Sequence, residues 1–336
     1  MTPPADHEEV VVDEPVNLRL RVSRLLPHGQ ALIGVLIALV FLSLILEPST
    51  LSGASLLSML PFASILAIGS VGQGLTIQQR GIDFSIVGTI SLSAVIVTRF
   101  PGGHDSRLLP ALAIIFGVAV AVGLANGIAI TKLRITPLIA TLAIGAVVAG
   151  VALSYSQSVG ETAPPGLSSF AVAKTIGIPN TVLVTIGFVA VFAFALARTV
   201  LGRRFSAVSV LPPSARAAGL RVDLYTTATY VLASLCYATA GVLVAGYVQT
   251  PSTDVGTSYL LASITAVVIG GTPLGGGRGN IVGTALAALF LSQLYALIAA
   301  LGAAVSWQLL IQAGAIAIAA GGSAGLRPLV RFRRVA

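Results

Sequence analysis

The stretch QQRGIDFSIVGTISLS, residues 78–93, sets Arg80 and Asp83 three positions apart between two segments that otherwise read as lipid-soluble. A charge at the centre of a membrane span costs about 2.5–3.5 kcal/mol on insertion scales, so such residues need a reason to be there. Two chemistries fit Asp83. As a helix cap, it accepts from backbone N–H groups near Ser85 and Ile86 at the start of a span that begins at Phe84. Gly81 then permits the reversal between helices, and the opposite charge at Arg80 reduces the cost. Alternatively, the carboxyl contacts a transported solute. The position just ahead of an apolar run favours the cap.

The other polar residues inside apolar runs are Gln73, Thr76, Ser85, Asn126, Thr141, Gln293 and Gln308. Polar groups held inside apolar runs can hydrogen-bond a transported solute, and the substrate-path candidates are Gln73, Asp83, Asn126, Thr141 and Gln293. The competing role for a Ser or Thr is a bond to its own helix backbone. For Asn and Gln it is an interhelical bond. Catalytic chemistry has no foothold. There is no G-x-x-x-x-G-K-[ST] loop, and the run GGTPLGGGRG at 270–279 lacks the lysine and hydroxyl that a phosphate cradle requires. His7, His28 and His104 are scattered, and Cys236 is the one cysteine, so neither a metal site nor a disulfide is expected. The chain is expected to carry no cofactor of its own; ATP with Mg, if used, would be bound and hydrolysed by a separate subunit.

These residues must be positioned by membrane-spanning helices. Of the 336 residues, 56% are hydrophobic and 9% charged, whereas soluble domains carry about 25% charged residues. Helices of roughly 20 apolar residues cross a bilayer, and candidates lie at 31–46, 54–77, 84–98, 109–130, 137–155, 179–197, 226–248, 258–271, 280–301 and 304–322. The expectation is an all-α polytopic membrane protein of about ten spans. The third and eighth are short and adjoin glycine-rich turns. Residues 1–30 lack the apolar core of a cleaved signal peptide and read as a cytoplasmic tail; residues 323–336 form a second, basic one. The stretches GIDFSIVGTISLS and GGRGNIVGTALAA echo each other through Ile-Val-Gly-Thr after a glycine-bearing turn.

With both termini cytoplasmic, only Arg99, Arg107 and Lys174 of the 19 basic residues fall outside, as the positive-inside rule requires. The net charge of +8 is thereby a topology signal and not a nucleic-acid footprint. The longest inner connection, 198–225, contains PPSARAAGL. Its prolines suit a helix start and Gly219 a stop, which gives a short surface helix at about 213–218 or, alternatively, a basic tether. The outer loop 156–178 is polar and proline-broken, open to an extracytoplasmic partner.

Several stretches together resemble a known family. RGIDFSIVGTISLS is similar to the Gly-Gly-Ile-Asp-Leu-Ser-Val-Gly signature of ribose-type permeases of ATP-binding-cassette (ABC) sugar importers. GLANGIAITKLRITPLIATLAIGAVVAGVAL, ARAAGLRVDLYTTATYVLASLCYATAGVLVA and AVVIGGTPLGGGRGNIVGT resemble further segments of that family in the same order, over about residues 55–322. The resemblance implies a permease of the bacterial inner membrane that pairs with a second copy or a paralogue. It implies a cytoplasmic ABC ATPase that uses ATP-Mg and an extracytoplasmic solute-binding protein that delivers a monosaccharide or related polyol. Residues 198–225 would dock the ATPase, with Ser214, Ala215, Arg216, Ala217, Ala218 and Gly219 as the coupling helix. Two departures stand out. Arg80 replaces the first glycine of the signature, and Leu260, Leu261 and Ala262 follow Tyr259 where relatives often carry Glu-Leu-Asp. The alternative function is a self-contained secondary transporter or channel, which would normally hold more ionisable residues in its spans.

Overall fold

The computed structural model describes residues 28–156 and 162–325. The expected N-terminal tail up to residue 27, residues 157–161 of the outer loop and the basic tail beyond 325 lie outside the described residues. Among the described residues, thirteen α-helices follow one another: α1 (His28–Leu46), α2 (Gly53–Gln78), α3 (Ile86–Arg99), α4 (Leu108–Thr131), α5 (Pro137–Ser156), α6 (Pro165–Val172), α7 (Asn180–Arg198), α8 (Val200–Val210), α9 (Pro212–Ala217), α10 (Val222–Val248), α11 (Thr257–Ile269), α12 (Ile281–Ala300) and α13 (Ser306–Gly325). A helix occupies each of the ten expected segments. Among the described residues, α2, α4, α5, α7, α10 and α12 are long and apolar enough to cross a membrane, and Leu36–Leu46, α3 and α11 are shorter apolar helices.

Local chemistry explains several boundaries. Ser52 starts α2 by accepting from Ser55 N–H at 3.3 Å, and Asn280 starts α12 by accepting from Gly283 N–H at 2.9 Å. Pro212 and Pro213 open α9, which stops ahead of Gly219 at φ +80°.

The long helices α2 and α10 form the centre. Helix α10 packs against α2, α3 and α4, while α2 also meets α7, α11 and α12, and α3 lies along α5. The core holds Ile65, Ile68, Val71, Ile90, Cys236 and Leu291. Helices α3 and α11 have 14 and 13 residues, about 20 Å of rise each, well short of the roughly 30 Å hydrocarbon core. Each continues as a non-helical turn at one end. The Ile-Val-Gly-Thr echo forms the first turn of both α3 and α12. Thr89 Oγ1 donates to Ser85 O at 2.8 Å, and Thr284 Oγ1 donates to Asn280 O at 2.9 Å.

Three expectations change. The connection 198–225, expected on the inner side, holds two helices, because α8 precedes the short helix α9, which runs from Pro212 to Ala217. Phe205, Val208 and Ser209 of α8 are buried, so the segment is packed rather than a free tether. The loop 156–178, expected on the outer side, leads through α6 into an antiparallel hairpin of two-residue strands, Lys174–Thr175 with Ile178–Pro179. Finally, α3 begins at Ile86, not Phe84.

Candidate functional site: a broken helix in a polar cradle

Between α2 and α3 the chain leaves helical geometry at residues 79–85, yet Gly81, Asp83 and Ser85 are buried. Buried backbone N–H and C=O groups must find partners, and within a membrane protein water supplies few. The polar residues singled out from the sequence supply them here. The Gln73 amide lies beside the backbone of Asp83. Oriented so that both its ends are satisfied, its oxygen accepts from Asp83 N–H at 3.2 Å, while its nitrogen donates to Asp83 O at 3.1 Å and to Tyr237 Oη at 3.0 Å. Thr141 on α5 accepts from Phe84 N–H at 3.0 Å and donates to Ile82 O at 3.2 Å. Asp83 Oδ1 accepts from Ser85 N–H at 2.9 Å and from Ser85 Oγ at 2.6 Å. Asn126 on α4 donates to Ser85 Oγ at 2.9 Å.

Gln73, Asp83, Asn126 and Thr141 therefore converge from α2, the break, α4 and α5 on one seven-residue segment, all with no solvent exposure. Asp83 is not the N-cap of α3. Ser85 holds that position without a side-chain cap, and Asp83 closes an Asx-turn one step earlier, bonding the Ser85 N–H but not that of Ile86. Gly81 is needed for a different reason than reversal: a Cβ there would lie 2.1 Å from Tyr230 Oη. The positive φ falls on Arg80, at +65°. Arg80 also does not pair with Asp83. Its guanidinium turns away from the cradle and donates to Val210 O at 2.8 Å, while Asp83 points inward.

Gln293 lies apart from this cluster. Its Nε2 donates to Ser43 Oγ at 3.2 Å and Thr50 Oγ1 at 3.4 Å, tying α12 to α1 and the turn after it. Ser214, Arg216, Ala217, Ala218 and Gly219 are exposed on and just after α9, whereas Ala215 packs with Val208 and Val222 and anchors the helix. Arg216 and Lys132 both reach Asp223, at 3.5 and 3.4 Å; these exposed pairs contribute about 0–1 kcal/mol each.

The residues missed from sequence are Tyr230, Tyr237 and Gln78. The first two are buried tyrosines of α10 whose hydroxyls meet the break. The available signal was a tyrosine hydroxyl within an apolar run, which needs a partner when buried. Gln78 bridges to the second glycine-rich turn, accepting from Gly279 N–H at Oε1 and from Gly277 N–H at its backbone carbonyl, both at 3.0 Å.

A cavity of about 780 Å³ opens elsewhere, among the first turns of α2, α11 and α13 and the last turns of α10 and α12. Hydroxyls of Ser55, Ser58, Thr257, Tyr259 and Tyr295 line it with the amides of Gln308 and Gln312, and among the described residues that line it none is charged. None of the five substrate-path candidates reaches it directly; Gln293 touches it only through Thr50. Leu260, Leu261 and Ala262 form part of its wall.

Known proteins place this architecture. A family described as the permease component of branched-chain amino acid transport systems matches residues 55–320. The chain is 30% identical over 300 residues to the ribose import permease protein of Escherichia coli (strain K12), covering 88% of this chain and 92% of that one. It is 33% identical over 293 residues to the ribose import permease protein of Bacillus subtilis (strain 168), covering 85% and 89%. It is also 33% identical over 250 residues to the autoinducer 2 import system permease protein of Escherichia coli (strain K12), covering 71% and 75%. No solved structure matches. A buried, broken-helix bundle of apolar helices, matched along most of its length by import permeases, belongs to that permease family: the chain is a multi-pass inner-membrane translocation subunit of an ABC importer, not an enzyme.

Proposed function

We propose that the chain carries a monosaccharide or related polyol, and that the cavity between α2, α11, α12 and α13 is the outer part of its path. The observation that carries this reading is the lining, with hydroxyls, tyrosine rings and two amides but no charge. A zwitterionic amino acid, the cargo suggested by the family's description, would leave both its charges without a counter-charge there, a costly desolvation. The relatives named for ribose point the same way. Right-side-out vesicles holding the complete importer should accumulate labelled ribose or a similar neutral sugar and ignore labelled leucine. Uptake of leucine alone would overturn the substrate class.

In this reading the chain has ten spans and both termini in the cytoplasm, with the cradle, α8 and α9 on the cytoplasmic side. A second copy or a paralogue completes the membrane unit, a solute-binding protein delivers cargo outside, and an ABC ATPase with its ATP-Mg docks on α8 and α9. The exposed face of α9, Ser214 with Arg216–Gly219, is the contact, while Ala215 fixes the helix to the bundle. Gln73, Asp83, Asn126 and Thr141 act as a fixed frame for the broken helix rather than as a wall of the path, and Gln293 braces α1. Orientation is tested with Ser169→Cys and Ser214→Cys, both at exposed sites, against the buried native Cys236. An impermeant maleimide should label residue 169 on intact cells and residue 214 only after the membrane is opened. Labelling of both on intact cells would exclude ten spans.

A further inference from the structure

Arg80 holds a left-handed backbone, φ +65°, that a side chain with a Cβ disfavours and glycine adopts freely. Such an outlier is kept when the side chain does something that glycine cannot. Here Nη2 donates to Val210 O at 2.8 Å, one of the last carbonyls of α8, which the helix itself leaves open. The positive charge also suits the negative end of the α8 dipole. One residue earlier, Gln79 Nε2 donates to Ser209 Oγ at 3.0 Å. Two consecutive residues of the break thus grasp two consecutive residues at the end of α8. The aliphatic stem of Arg80 crosses the second glycine-rich turn so closely that a Cβ on Gly276 would lie 2.2 Å from Arg80 Cγ. Three residues further on, Asp83 is locked into the cradle.

We propose that Arg80, with Gln79, is a positioning residue that ties the α8–α9 segment to the α2–α3 break, so that displacement of α8 and α9 reaches the cradle around Asp83. This rests on the reading that α8 and α9 dock the ATPase. The rigid parts suit the role: α9 is anchored on α8 through Ala215 and Val208, and the break is held on every side by hydrogen bonds.

The test follows hydrogen exchange in the full-length chain, in lipid nanodiscs with the ATPase that co-purifies, without nucleotide and after trapping with Mg-ATP and vanadate. Arg80→Gly suits the backbone, so the variant should melt at or above the wild-type temperature. In wild type, exchange should change on trapping in both 199–220 and 83–93. In Arg80→Gly the change at 199–220 should persist, while that at 83–93 falls at least about 5-fold, the lower end of ordinary coupling effects. Arg80→Lys, whose ammonium can still donate to a carbonyl, should restore part of it. A role confined to stability would leave the response at 83–93 intact, and an undiminished response in Arg80→Gly overturns the proposal. If trapping leaves 199–220 unchanged in wild type, the docking reading fails instead. The link is then judged in the nucleotide-free chain, where Arg80→Gly should speed amide exchange at 205–211 by about 5-fold or more; unchanged exchange there overturns it.

Discussion

Asp83→Leu is expected to remove most folded protein from the membrane, while Asp83→Asn retains it together with most transport. Leucine takes away the acceptor that both Ser85 N–H and Ser85 Oγ use. Two buried donors are then left unpaired, at about 1–3 kcal/mol each, against a total stability of only about 5–15 kcal/mol. The loss spreads, because Ser85 Oγ is also the partner of Asn126 Nδ2, so the bond between the break and α4 weakens with it. Asparagine keeps the acceptor oxygen and the Asx-turn, and Asn serves such turns as well as Asp. The atom it exchanges, Oδ2, has no hydrogen-bond partner among the described residues, so no bond is lost there. Uptake per folded transporter, measured for both variants, decides the matter. A well-folded Asn variant with no uptake would mean that the cycle needs the charge itself.

The reason these residues could be named in advance, but not understood, lies in sequence separation. Hydropathy and charge bias are local signals, and they located the apolar helices, the shortness of α3 and α11 and the glycine turns beside them. The prolines and Gly219 that frame α9 are likewise a local code. Which polar groups meet is not local: Asn126 is 41 residues from Ser85, Thr141 is 57 from Phe84 and Tyr237 is 164 from Gln73. In the sequence Gln73, Asp83, Asn126 and Thr141 read as candidates for a substrate path, and Tyr237 was not singled out at all. Together they serve a single demand, the backbone of one interrupted helix. Arg80 and Asp83 misled through proximity, since neighbours in sequence read as an ion pair, whereas the left-handed turn sends their side chains in opposite directions. Helix α8 escaped notice because VLGRRFSAVSV carries two arginines and a glycine, a composition that reads as loop. Its order comes from burying Phe205 and Val208 and from a close approach to α7, where a Cβ on Gly202 would lie 2.3 Å from Ala195 O.

The other large effect is expected at Gly123, where α4 meets α10. A Cβ there would lie 2.4 Å from Val231 Cα and 2.7 Å from Tyr230 O. One turn on, a Cβ on Gly127 would lie 2.7 Å from Thr227 Cα. These obstacles are backbone atoms, which cannot rotate aside, so the helices themselves must part. Small residues four apart are the usual means by which membrane helices approach this closely. Overpacking a core costs about 1–3 kcal/mol even where side chains can adjust; at Gly123 the cost is larger and is not confined to the contact. Asn126 lies between the two glycines and must reach Ser85, while Tyr230 and Tyr237 reach the same break from α10. Separating α4 from α10 pulls the cradle apart from both sides. Gly123→Leu should therefore abolish the monodisperse, folded species. Gly117→Leu, on the same helix at an exposed position with nothing within 4 Å of its Cβ, should leave it unchanged. Size-exclusion profiles and melting temperatures of the two variants in nanodiscs make the comparison. A Gly123→Leu protein that elutes and melts like wild type would show that α4 and α10 are not held at this distance.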